Sequence, residues 1–266
     1  MNNIFDIKRF GNYFLYDLRR AKNNYGLSLL LLGLMPVIIF LFYQFFSLIS
    51  GHGITELPDE MQFMAVFVAI IVAIFSAGVK LYGFVTERRA GSDFLMLPAS
   101  TLEKWLSILL MVCLVVPVIL FGLTFLSDGL MSMIFPNAYG DRIMDADFAR
   151  GMFEALGEEG ISIKLPGLFF LNWSANILTF TLGAFCFKKA KVAKTLLFIF
   201  AFSMVLSTIL VISFGTSHID MGWLENHFTD PESIERFLNV TINIILFVLF
   251  GGLLGGLYYR LRTLKH

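Results

Sequence analysis

Few residues of this chain can do chemistry, and many of them sit in one polar stretch. Glu87 to Ser107 reads ERRAGSDFLMLPASTLEKWLS and lies between two long apolar runs. Ser100 and Glu103 have the spacing of a capping box, in which the hydroxyl accepts from a backbone N–H three residues on and the carboxylate reaches back. Pro98 disfavours the helical region for Leu97, so a new helix is predicted to start at Ser100 and not earlier. Arg88, Arg89 and Lys104 put positive charge on both sides of that cap. The stretch is expected to be an elbow shown to a soluble partner. Bond-making chemistry has weaker support. No Gly-rich loop ends in Lys-Ser/Thr, so the chain is not expected to hydrolyse ATP itself. His-Glu-x-x-His is absent, and His52, His218, His227 and His266 all lie outside the apolar runs. No apolar run contains Asp, Glu or His, which argues against an intramembrane protease and against a carboxylate proton relay. Cys113 and Cys186 lack metal-ligand spacing and read as packing residues.

The elements that must position the elbow are membrane helices. The 266 residues are 57% hydrophobic and 15% charged, where a soluble domain carries about 25% charge. Six apolar runs reach the length of roughly 20 residues that crosses a hydrocarbon core. They are residues 26–50, 64–84, 105–126, 167–187, 195–214 and 237–259. The predicted fold is therefore all-α, a single polytopic membrane domain over 1–266 with six transmembrane helices. Pro36 and Pro117 are expected to kink the first and third spans, which membrane helices tolerate. Lys80 is expected to snorkel to the interface. Before the first span, Ile4, Ile7, Phe10, Phe14 and Leu18 recur at helical spacing beside Lys8, Arg9, Arg19, Arg20 and Lys22. That pattern predicts an interfacial helix over residues 1–25, with Gly11 as a weak point. In the long polar loop 127–166, the apolar spacing from Ile143 to Leu156 predicts an amphipathic helix on the outer surface.

The formal net charge of zero hides a segregation of sign. Sixteen of the twenty Lys and Arg fall in the N-terminal segment, the elbow region with Lys80, the Lys188–Lys194 turn and the tail. Fifteen of the twenty acids fall in the three loops on the other side. Positive charge is retained in the cytoplasm, so both termini, the elbow and the lysine turn are expected there, in a cytoplasmic membrane. Nothing basic enough for nucleic acid stands out.

Polar and small residues inside the runs give two further expectations. Asn172 and Asn176 are four apart in the fourth run, as are Asn239 and Asn243 in the sixth. Each pair lies on one helix face near the outer end. Two readings fit: hydrogen bonds between helices, or a polar patch that meets a substrate head group. Gly251, Gly252, Gly255 and Gly256 form overlapping small-xxx-small pairs, which predict close approach of another helix, from this chain or a second copy.

Taken together, this pattern resembles the membrane subunit of ATP-binding cassette exporters of the type 2 class. The likeness lies in a helix before the first span, six spans with both ends inside, and the elbow's Leu97-Pro98-Ala99-Ser100 followed by Glu103-Lys104. The resemblance implies a permease without cofactor, acting with a second copy or a sister subunit and with a separate cytoplasmic ATPase. Glu87, Arg88, Arg89, Leu97, Pro98, Ser100, Glu103 and Lys104 would then be docking and capping groups that couple to the ATPase. Lys188, Lys189, Lys191 and Lys194 would form a second cytoplasmic contact. The loop 127–166 is longer than the simplest members of the family have. The alternative is an integral membrane assembly or sensor protein that works through its acidic outer loops.

Overall fold

Asp6 begins the first helix by accepting the backbone N–H groups of Lys8 and Arg9 at 2.8 and 3.0 Å. The computed structural model describes residues 5–144, 168–216 and 231–264; at 88–90, 168–171, 206, 209–216, 231–243 and 246 it describes the backbone only. Among the described residues the chain is helical and has no strand. Helix α1 (Ile7–Gly33) runs unbroken through Gly11 and through the expected boundary at residue 26. The segment expected to be an interfacial helix and the start of the expected first span are thus one rod, because nothing between Asn12 and Gly33 breaks a helix. The break falls at Leu34, where α1 meets α2 (Met35–Ile49) at a bend of 51°. Pro36 causes it, since proline lacks the N–H for the ladder and its ring crowds the carbonyl four residues back.

Helix α3 (Asp59–Tyr82) starts five residues before the expected span, with Asp59 and Glu60 in its first turn where the dipole favours acids. A 3-10 turn, Gly83–Thr86, closes it. The elbow contains a helix of its own, α4 (Arg88–Met96). After Pro98 the chain enters α5 (Thr101–Leu109), which continues through a π-helical segment, Leu110–Val115, into α6 (Val116–Ile134). The wide π turn sits just before Pro117 and absorbs the missing N–H and the steric demand of its ring. This helix runs eight residues beyond the expected end at Leu126. Asp128 is therefore helical and buried rather than in a loop. A short α7 (Pro136–Tyr139) follows. The amphipathic helix expected from Ile143 to Leu156 falls almost wholly outside the described residues. Helices α8 (Leu168–Cys186), α9 (Lys191–Thr216) and α10 (Pro231–Thr263) complete the chain.

Among the described residues each of the six apolar runs thus falls largely on helix. Among the described residues, Asp59–Thr86 and Thr101–Ile134 are long and apolar enough to cross a membrane, and the bent α1–α2 pair would make a third. Helix α3 is the spine of the packing and touches α1, α2, α6, α8 and α9. Ala65, Ala69, Ala73 and Ala77 line it at four-residue intervals, and all are buried. Small residues let helix backbones approach, which matters in a bilayer where apolar burial gains nothing over lipid. Around this spine α1 packs on α6, and α8 on α10.

Candidate functional site

The two ends of the bundle are tied by different chemistry. At one end Tyr139 donates to Asp128 Oδ1 at 2.6 Å, and the Met144 N–H donates to Asp128 Oδ2 at 3.0 Å. Gln62 Nε2 donates to the Tyr139 carbonyl, and Leu57 N–H to the Ala138 carbonyl. These bonds close the start of α3 against α7. The opposite end gathers the basic segments and the elbow.

Glu103 is the centre of that end. The predicted capping box is present: Ser100 N–H donates to Glu103 Oε2 at 2.8 Å, and Glu103 N–H donates to Ser100 Oγ at 3.3 Å. The same carboxylate accepts Asp6 N–H at 2.9 Å, Arg9 Nη2 at 2.7 Å and Arg9 Nε at 2.8 Å. It has no solvent exposure. It stands in the first turn of α5, ahead of the apolar run that begins at Trp105. The Arg9 guanidinium, with backbone N–H groups of Asp6 and Ser100, holds the Glu103 carboxyl well below the usual range, at about 2. Lys104 is buried as well. Its ammonium donates to the Phe94 carbonyl at 2.8 Å and the Leu95 carbonyl at 3.3 Å, over the Phe94 ring. It satisfies orphan carbonyls at the end of α4.

Glu103 and Lys104 were expected among the docking and capping groups; Glu103 makes the cap, and both side chains are buried and face inward. Both are spent inside the chain, one tying α5 to α1 and the other tying α5 to α4. Leu97 is half-buried against the core. Among the described side chains of the elbow, Glu87, Asp93, Leu95, Met96, Pro98 and Leu102 are exposed, and Met96 is 81% exposed. Arg88 and Arg89 lie in the first turn of α4, which contains no acid; their side chains lie outside the described residues. Beside Pro98 an open cleft of about 450 Å³ runs between α1 and the elbow, lined by Lys8, Asn12 and Tyr16 among others.

Two further ties converge here. Asp17, buried on α1, accepts from the Tyr82 and Ser107 hydroxyls, each at 2.7 Å. One carboxylate thus joins the helices before and after the elbow. Its signal in the sequence was position: Tyr13, Asp17, Ala21 and Tyr25 share a face, and Tyr13, Asp17 and Tyr25 are buried. The stripe read as apolar lies elsewhere, with Ile7 78% and Leu18 36% exposed. The second tie joins the lysine turn to the base of the elbow. Lys191 Nζ bonds the Gly83 carbonyl, and Thr86 Oγ1 donates to the Phe187 carbonyl at 3.4 Å. Burial pushes the Lys191 ammonium down from its ordinary value. Lys188, Lys189 and Lys194 are exposed, so three of the four predicted contact lysines are on the surface and Lys191 is not. Near the tail, Arg260 Nε donates to the Phe185 carbonyl at 3.2 Å.

No family model matches the chain, and no curated protein or solved structure matches it. Its function is therefore inferred from its own residues. Among the described residues no three His, Cys, Asp or Glu side chains converge. The elbow cluster offers charge, hydrogen bonds and an exposed thioether, which suit docking and the transfer of movement.

The remaining candidates divide. Asn172 and Asn176 are exposed and bond each other, with Asn176 Nδ2 donating to the Asn172 Oδ1 at 2.7 Å and carbonyl at 2.9 Å. Of the two readings, the bond between helices is not made among the described residues. Asn239 and Asn243 lie in α10, and their side chains are outside the described residues. Among the described residues, Gly256 alone of the four glycines in α10 has a neighbour, Leu182 of α8; a Cβ on Gly251, Gly252 or Gly255 would meet none of them within 4 Å. The close approaches occur at glycines not singled out in the sequence. Gly33 faces Leu123, Gly78 faces Thr181, and Gly183 faces Thr195.

Proposed function

We propose that this chain is the membrane-spanning permease subunit of an ATP-binding cassette exporter of the type 2 class. It spans the cytoplasmic membrane six times, with both termini and the elbow inside. It works as a dimer or with a sister subunit, and a separate cytoplasmic ATPase drives it. The observation that carries this reading is the convergence of the N-terminal segment, the elbow, the lysine turn and the α10 end at one pole of the bundle, where the elbow leaves Met96 exposed.

Helix α4 is short, has no side-chain cap, and carries Arg88 and Arg89 at its positive end. Cations there oppose the helix dipole, and an acidic, partly apolar groove on an ATPase would reverse that cost. Closure of the ATPase would press on α4. Lys104 would pass the displacement to α5, and the Glu103–Arg9 and Asp17 ties would carry it to α1 and α3. The spans would thereby shift between two packed arrangements.

Copurification tests this reading. The tagged chain, extracted in detergent, is expected to bring down ATP hydrolysis by a subunit with a Gly-rich phosphate loop. Met96→Glu, at an exposed position, should reduce that bound activity at least tenfold, as should Arg88→Glu with Arg89→Glu. Absence of any ATPase, or its full retention by both variants, would refute the assignment.

A further inference from the structure

In hydrocarbon an exposed apolar side chain needs no partner, whereas an exposed amide does. Leu197, Phe198 and Phe202 of α9 are 59–70% exposed and suit lipid as they stand. Asn172 and Asn176 of α8 do not. At 1.5 Å per residue they lie roughly 21 and 15 Å from the Cys186 end of the helix, well inside a core about 30 Å thick. An Asn side chain is too short to reach the interface from there, unlike a snorkelling lysine. Asn176 Nδ2 is spent on Asn172, which leaves the Asn176 Oδ1 acceptor and the Asn172 Nδ2 donors with capacity to spare.

The Asn face of α8 meets α9 further along, where Gly183 lies against Thr195, and α10 has open backbone at the level of the asparagines. Helices α8 and α10 run parallel, since Leu182 meets Gly256 and, further along both, Phe185 meets Arg260. The separation of 75 residues at that second contact sets Asn176 level with Gly251. Gly251, Gly252 and Gly255 offer bare backbone there.

We infer that a second copy of this chain packs on the α8–α10 seam, with Asn172 and Asn176 hydrogen-bonding across the interface. A two-fold axis along the membrane normal sets the same strip of each copy at the same depth. A strip holding both a spare donor and a spare acceptor is complementary to itself, and bare glycine backbone permits close approach. A lipid tail supplies neither partner. This inference rests on the membrane-spanning placement of α8 and deepens the dimer of the proposed permease, but it does not require the ATPase.

Disulfide trapping in native membranes tests it, in the full chain with Cys113→Ala and Cys186→Ala. Asn172→Cys and Asn176→Cys should each give a dimer band with copper phenanthroline, and Phe202→Cys on α9 should give none. Asn172→Leu with Asn176→Leu, which disturbs no hydrogen bond between helices among the described residues, should weaken association about tenfold by single-molecule photobleaching. A band at Phe202→Cys alone would move the interface to α9 and overturn the inference. So would labelling of Asn176→Cys by a water-soluble maleimide without a dimer band, which would mark an aqueous pathway. Unchanged association in the leucine variant would also overturn it. Carbonate washing separates the two levels: release of the chain from membranes would fail the membrane placement itself, while a retained chain without cross-links fails the interface only.

Discussion

A carboxylate without solvent exposure is tolerated only when its lone pairs are engaged, and Glu103 meets that condition with Arg9, Asp6 and Ser100. Only the Ser100 contact follows from local spacing. The other donors come from residues 94 and 97 positions away, and no periodicity announces them. The Glu103 carboxyl is held at about 2, below the 4.5 of a free glutamate. A carboxyl depressed in the folded state stabilises the fold above its unfolded value, and this contribution is lost as pH falls through the folded one. The thermal midpoint of the detergent-solubilised chain should therefore drop between about pH 4.5 and pH 2. Glu103→Gln should lower the midpoint at pH 7 and remove that acid-dependent loss. An identical acid profile in the variant would show that Glu103 is not the titrating group.

At the scale of elements, the determinant is where two backbones approach. A Cβ added at Gly78 would lie 2.7 Å from the Thr181 Cα, which is backbone and cannot rotate away. Gly78→Ala should cost about 2–3 kcal/mol through overpacking between α3 and α8. Gly122→Ala, in α6 where an added Cβ meets nothing within 4 Å, should be neutral or slightly stabilising through helix propensity. Thermal unfolding of both variants in one detergent compares them directly. The four glycines of α10 were conspicuous because they cluster, whereas the alanines of α3 carry the packing spaced evenly at 65, 69, 73 and 77. Spacing shows that a face is small. It does not show whether a neighbour lies against it.

The whole molecule is polarised. Basic segments far apart in the chain are tied at one pole through Arg9–Glu103, Lys191–Gly83 and Arg260–Phe185, while Asp128, Gln62 and Tyr139 close the other. In the proposed orientation, which follows the positive-inside rule, the basic pole faces the cytoplasm. A fluorescent or phosphatase reporter fused after His266 should accordingly report the cytoplasmic face, and one inserted in the 51–58 loop the outer face. The opposite pattern would reverse the orientation and remove the basis for an ATPase contact.

Composition, run lengths and the sign of charge were enough to establish a helical chain with stretches that suit a membrane, and to place the Ser100 cap. These are local or additive properties, legible one window at a time. Only the tertiary structure decided that Glu103 and Lys104 face inward, that Asp17 bridges α3 and α5, and that Met96 is left protruding. The reason is that burial belongs to pairs of surfaces. A side chain's partner comes from another helix, and the register and rotation that bring the two together are set by packing of the whole bundle.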